Sequence, residues 1–228
     1  MAEMENSKDL ISVLWSGADI LRSKMDANEY KDYLLGIVFY KYLSDSFLIK
    51  VYDLLFDKKP ENLKVALDAY KEALEDESAE ELKDQLKSEC HYIIEPELTY
   101  TYFAETARNN AFNREQLQKA FNNIEQSDPL FADLFTDIDL YSNRLGTGDQ
   151  KQSDTVSSLI KEIDKADLLN TDADILGNAY EYLIGQFASE TGKKAGEFYT
   201  PQPVSKILTR IAIAGQEDKR GLLVYDPC

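Results

Sequence analysis

The sequence predicts a mainly α-helical protein. A helical bundle occupies residues 1–165, and residues 166–228 hold the first helix and strand of a truncated α/β domain. Three observations carry this reading. Apolar residues recur at three- and four-residue spacing through most of the first part. One long stretch, residues 28–57, is apolar nearly all round, as a helix at the centre of a bundle is. The closing "LLVYDPC" reads as a buried strand, yet no second strand is there to satisfy its backbone groups, so the α/β domain is expected to continue past Cys228.

Each element follows from its own pattern. In "NSKDLISVLWSGADILRSK", Leu10, Val13, Leu14, Ala18 and Leu21 share a face, and Ser7 is placed to cap it. Trp15, the only tryptophan, reads as a core anchor. In "NEYKDYLLGIVFYKYLSDSFLIKVYDLLFD", Tyr30, Tyr33, Leu34, Ile37 and Val38 form one stripe. Phe39, Tyr40, Tyr42 and Leu43 cover the other sides, so this helix is central or shared with a partner. From Pro60 to Glu89 the pattern turns polar, and "EALEDESAEELKDQLK" reads as a solvated helical stretch with Leu74, Leu82 and Leu86 as sparse apolar positions.

Further on, Pro96 starts or interrupts an element within "HYIIEPELTYTYFAETARNN". "NREQLQKAFNNIEQ" is an amphipathic helix with Leu117, Phe121 and Ile124 on one side and Asn113 as its cap. Gly146 and Gly148 mark a loop. "DTVSSLIKEIDKADL" follows as a helix capped by Ser153 or Asp154. "TDADILGNAYEYLIGQFASETG" carries Ile175, Ala179, Tyr182, Leu183 and Phe187 in register and ends at Gly192. "VSKILTRIAIAG" then sets Val204, Ile207, Leu208, Ile211 and Ala212 on one face and stops at Gly215, after which "QEDKRG" turns the chain.

Charge limits the choice of partner. The chain carries 42 acidic and 25 basic side chains, a net of −17. Residues 1–168 hold 34 of the acids and 19 of the bases. Such a surface repels phosphate on average, so any DNA role needs a local patch or other chains; the plainer consequence is solubility. Cys90 and Cys228 make no disulfide framework, and no residues have metal-site spacing. Cys90 and His91 are adjacent, and neighbours in a helix do not face each other as a catalytic pair must. No signal peptide or membrane span is evident, so a cytoplasmic location is expected.

"GEFYTPQPV" is an unusual way into a helix. With Thr200 as N-cap, Pro201 and Pro203 fall in the first turn, where proline's fixed φ fits. Gln202 then keeps the only amide donor of the first three positions, and the Thr200 hydroxyl is left able to address a ligand. The positive helix end favours a carboxylate, Phe198 and Tyr199 can wall a pocket, and Gly196 permits close approach. A well-capped structural helix explains the same residues. In "VYDP", Asp226 sits at the C-terminal edge of a strand, where open α/β sheets bind ligands, or it serves only as a turn-forming Asp-Pro.

Together these stretches resemble the modification (M) subunit of type I restriction–modification systems, a DNA adenine-N6 methyltransferase. The resemblance spans nearly the whole chain. It is carried by "LWSGADILR" at 14–22, "EYKDYLLGIVFYKYLSD" at 29–45 and "DLYSNRLG" at 139–146, and most specifically by "DILGNAYEYLIGQFASETGKKAGEFYTP" at 174–201 and "VYDPC" at 224–228. It implies that Glu197, Phe198, Tyr199, Thr200, Pro201 and Gln202 line the methionine end of S-adenosylmethionine. It implies too that Asp226 opens an acid-and-glycine loop holding the same cofactor, in a Rossmann-like methyltransferase domain.

The glycines of that loop and the Asn-Pro-Pro-aromatic motif, which in the family holds the flipped adenine, are absent, so no catalytic residue is assigned. The chain then resembles the N-terminal part of the subunit, expected to be inactive alone and to bind the cofactor weakly. The family implies a specificity (S) subunit, a restriction (R) subunit, a second M subunit and double-stranded DNA as partners, and no membrane. The acid load fits a domain that leaves base reading to the S subunit. The alternative is a non-enzymatic acidic helical interaction module, an adaptor or DNA mimic.

Overall fold

The computed structural model describes residues 2–167, with residues 177, 181, 185, 200, 202–216, 218–221, 223 and 225; the side chains of residues 2–10, 27, 28 and 202 lie outside the description. The described residues form helices α1 (Ala2–Arg22), α2 (Ala27–Phe56), α3 (Leu63–Leu74), α4 (Ala79–Cys90), α5 (Tyr100–Arg108), α6 (Arg114–Ser127), α7 (Asp149–Ile163) and α8 (Gln202–Ala212). Short 3₁₀ turns lie at Pro96–Leu98 and Pro129–Phe131. The chain divides into two compact units, Met1–Leu183 and Ile184–Cys228.

In the first unit α2 is the central post, touching α1, α3, α4, α5 and α7. Its expected stripe is buried: Tyr30, Tyr33, Leu34, Ile37 and Val38 are all in the core. So are Tyr40, Leu43, Phe47, Leu48, Val51 and Tyr52, which makes burial nearly continuous around the helix. Aromatic rings do much of the packing. Phe121 stacks on Phe135 at 4.3 Å, and Tyr40 meets both edge-on, at 5.4 and 5.9 Å. The Tyr40 hydroxyl is satisfied by donating to the Leu98 carbonyl at 2.6 Å. Gly36 lets the 135–138 segment sit against α2, because a Cβ there would lie 2.1 Å from Ile138 Cδ1.

Local signals explain most helix ends. The Asn113 side chain accepts from the Glu115 amide at 2.8 Å, as its position predicts. Pro96 opens a 3₁₀ turn, and Thr99 then caps α5 by accepting from the Tyr102 amide. Several boundaries differ from expectation. α1 begins at Ala2, so Ser7 lies inside it; good helix formers upstream extend the run. The charge-rich stretch is two helices rather than one, parted where Asp76 accepts from the backbone and hydroxyl of Ser78. α7 starts at Asp149, ahead of Ser153 and Asp154, because Gly148 at φ 89 releases the chain into the helix there. Trp15 is half-buried rather than central, with the Arg22 guanidinium 5.2 Å from its ring.

In the second unit, α8 covers the expected helix, and the chain turns at Gly215, with φ 77. The Gln216 amide donates to the Ile213 carbonyl in that turn, and Lys219 closes the next on Gln216. The expected buried strand is corrected at both of its described residues. Leu223 and Tyr225 are 101% and 87% exposed, and neither is in a strand. Among the described residues there is no strand to pair with, and an isolated extended segment gains nothing to offset its ordering. Gly177 and Glu181 of the first unit and Gly185 of the second are helical, within the stretch where a helix is expected.

Candidate functional site

Of the residues proposed to hold a cofactor, Thr200 and Gln202 are described; Glu197, Phe198, Tyr199, Pro201 and Asp226 lie outside the described residues. Thr200 is exposed and not helical, and Gln202 is the first residue of α8. A threonine therefore stands within two residues of the positive end of an 11-residue helix. The chemistry fits a ligand carboxylate: a hydroxyl that donates, near the single amide donor of Gln202 and a favourable dipole. Farther along α8, Val204, Ile207, Leu208 and Ile211 are exposed by 46 to 68%, so the expected apolar face is formed but not buried.

The helical unit holds two polar clusters that sequence reasoning passed over. The first is in α2. Lys41 Nζ lies 2.6 Å from Asp45 Oδ2, with both side chains only 2% exposed. Lys41 also lies 5.0 Å from the Tyr100 ring, and Ser44 Oγ accepts from the Tyr100 amide at 2.7 Å. Burial pushes the Asp45 carboxyl up to about 6 despite the opposing Lys41, and Asp164 and Asp167 add to the rise. Its Oδ1 has no hydrogen-bond partner. Two charges four residues apart within an otherwise apolar stretch were the available signal.

The second cluster explains the "DLYSNRLG" stretch. Its carbonyls are tied down by side chains from three helices and from the turn between α1 and α2. Tyr33 donates to Asp139 at 2.7 Å, Arg114 to Leu140 at 3.3 Å and Gln152 to Tyr141 at 3.0 Å. Lys24 and Thr155 both donate to Leu145, at 3.3 and 2.8 Å. Arg114 is the hub: it is buried, bonds Gln152 and Asp149, and stacks 4.2 Å from the Tyr141 ring. An open cavity of about 630 Å³ adjoins it, lined by Asn113, Glu115, Tyr141, Asp149 and Ser153. With its fork committed to protein acceptors, Arg114 serves as a loop clamp.

Cys90 and His91 do not form a working pair. Burial pushes the Cys90 thiol up, away from the thiolate, and the exposed His91 ring lies 3.8 Å from Asp128 instead. Among the described residues no group of His, Cys, Asp and Glu is placed to hold a metal ion, and no helix is long and apolar enough to cross a membrane.

Comparison with known proteins defines the class. The family model described as "HsdM N-terminal domain" matches residues 10–163, and "N-6 DNA Methylase" matches residues 171–228. The chain belongs to the HsdM N-terminal domain family and joins that domain to a segment matching the methylase model. It is 30% identical to the type I restriction enzyme MpnII methylase subunit of Mycoplasma pneumoniae, over 90% of this chain and 39% of that one. It is also 30% identical to the MjaVIII methylase subunit of Methanocaldococcus jannaschii, over 97% of this chain and 34% of that one.

A crystal structure of the type I restriction-modification system methyltransferase subunit from Streptococcus thermophilus superposes with a TM-score of 0.87 at 49% identity. That match covers 95% of this chain and 46% of the other. The chain thus spans 34 to 39% of the length of these curated relatives. These matches favour a methylase subunit over a stand-alone acidic module.

Proposed function

We propose that these residues are the N-terminal part of a methylase subunit that, intact, transfers a methyl group from S-adenosylmethionine to adenine N6 in DNA. The observation that carries the reading is the order of the two family matches, a helical domain followed by an N-6 methylase segment that contains "GEFYTPQ". We place the boundary between residues 165 and 166, with a Rossmann-like methyltransferase domain beginning after it.

In this reading Glu197, Phe198, Tyr199, Thr200, Pro201 and Gln202 hold the methionine end of the cofactor, and Asp226 holds it from the sheet side. S-adenosylmethionine supplies the methyl group from its sulfonium; the residues named here bind and orient it. The base pocket is built from other residues of the intact protein, so the 228-residue chain alone is inactive and binds the cofactor weakly. S, R and second M subunits and double-stranded DNA are the partners, in the cytoplasm. With net charge −17, this part contributes few phosphate contacts, and base reading falls to the S subunit.

Thr200 provides the direct test. In the intact protein, Thr200→Ala weakens S-adenosylmethionine binding by roughly three- to tenfold, the worth of one hydrogen bond to ligand. Its stability cost as a lost cap is separate, about 1 kcal/mol. Calorimetric titration checks the first and thermal unfolding the second. An unchanged dissociation constant would return Thr200 to a purely structural role.

A further inference from the structure

We propose that the segment 128–139 is a preformed docking knob for a protein surface whose apolar groove is rimmed by Lys and Arg; this rests on the subunit assembly proposed above. The segment sorts its side chains sharply. Phe131 packs edge-on against Tyr92 at 5.5 Å, Phe135 stacks on Phe121, and Ile138 is buried against α2. Leu130 and Leu134 point away, 77% and 38% exposed, and Pro129 and Ala132 are exposed beside them. An exposed leucine alone means little, but here the apolar residues are adjacent in one short segment.

The knob is held before any partner arrives. Asp128 Oδ1 accepts from the Leu130 amide at 2.9 Å, and the Asp128 carbonyl accepts from Phe131 at 3.0 Å. The Phe135 amide donates to the Glu125 carboxylate at 2.7 Å, and Asp133 takes the left-handed conformation, φ 60. A partner therefore meets an ordered surface and loses little entropy in docking to it.

Charge selects the occupant. Asp128, Asp133, Asp137 and Asp139 share the segment with the leucines, and no Lys or Arg occurs between Lys119 and Arg144. Lys87 and His91 line a cavity of about 280 Å³ beside Tyr92, and the His91 ring lies 3.8 Å from Asp128 at one end of the segment. Carboxylates repel DNA phosphates. They also repel a second copy of this chain, which carries −17 and presents the same acidic rim. An apolar centre with an acidic rim fits a basic protein surface. In the proposed assembly the DNA-reading specificity subunit is the member that must carry Lys and Arg to hold phosphates.

The test measures affinity of the intact methylase subunit for purified specificity subunit by calorimetry. Leu130→Asp lowers affinity at least about tenfold, as loss of an apolar anchor does. Asp133→Asn with Asp137→Asn lowers it several-fold and flattens its salt dependence. Both variants unfold at the parental temperature, since the side chains are exposed. Unchanged affinity in Leu130→Asp overturns the knob while leaving the assembly standing. Failure of the unsubstituted subunit to bind overturns the assembly, and the knob with it. Loss of self-association in Leu130→Asp with specificity-subunit affinity intact overturns it in favour of a contact between copies.

Discussion

Replacing Lys41 with methionine destabilises the helical unit by about 3–5 kcal/mol at pH 8, the usual cost of leaving one buried charge without its partner. Asp45 then keeps a buried carboxylate whose Oδ1 already lacks a hydrogen bond. The loss is pH-dependent, with a definite sign. Burial raises the folded carboxyl to about 6, above the unfolded value near 4, so folding takes up a proton between those values. The stability that Asp45 contributes is full below the unfolded value and disappears as pH rises through about 6.

In Lys41→Met the opposing cation is gone, the carboxyl rises further, and the loss continues into the neutral range. The variant therefore approaches the parent near pH 5 and falls away toward pH 8. Replacing both residues, Lys41→Met with Asp45→Leu, restores stability to near the parental level at pH 8, because no charge is left to bury. Urea unfolding followed by circular dichroism at pH 5 and pH 8 checks all three. An equal loss at both pH values would show that Lys41 acts through packing alone.

The second large effect concerns the cofactor. In the intact protein, Asp226→Ala weakens S-adenosylmethionine binding by about ten- to a hundredfold, which matches 1.5–3 kcal/mol for a hydrogen bond to a charged group. The reason belongs to the proposed reading: in the complete sheet of the intact protein, an acid at a strand's C-terminal edge would face the ligand crevice. Asp226→Asn keeps the shape but not the charge, and it retains most of the defect. Calorimetric titration separates these outcomes; unchanged affinity in both variants would make Asp226 a turn residue and no more.

Much of the helical unit was legible in advance. The all-round apolar pattern of residues 28–57 called for a central helix or one shared with a partner, and α2 is central in the bundle. Asn113 and Gly215 announced a start and a stop because each solves a local backbone problem. What escaped depends on tertiary context. Lys41 and Asp45 went unremarked, since sequence does not show that both side chains are buried, at 2% exposure each. Arg114 went unremarked as well, because its acceptors lie 26 to 38 positions away. The start of α7 was misplaced because Ser153 and Asp154 are better caps by type than Gly148, yet the helix already begins at Asp149, behind Gly148 at φ 89.

The proposed cofactor site rests on a different kind of signal. Physical chemistry allowed either a carboxylate site or a plain structural cap at Thr200, and the family resemblance supplied the ligand. The strand expected at 222–228 is not formed at Leu223 or Tyr225, because strand formation is a property of a sheet and not of seven residues.

Transfer of a tritium-labelled methyl group is the most direct measurement. Intact methylase subunit, assembled with its specificity subunit, is incubated with labelled S-adenosylmethionine and DNA, and the DNA is digested to nucleosides. The account predicts label in N6-methyladenine, and none from the 228-residue chain alone. Label in a methylated cytosine, or no transfer by the intact assembly, would contradict it.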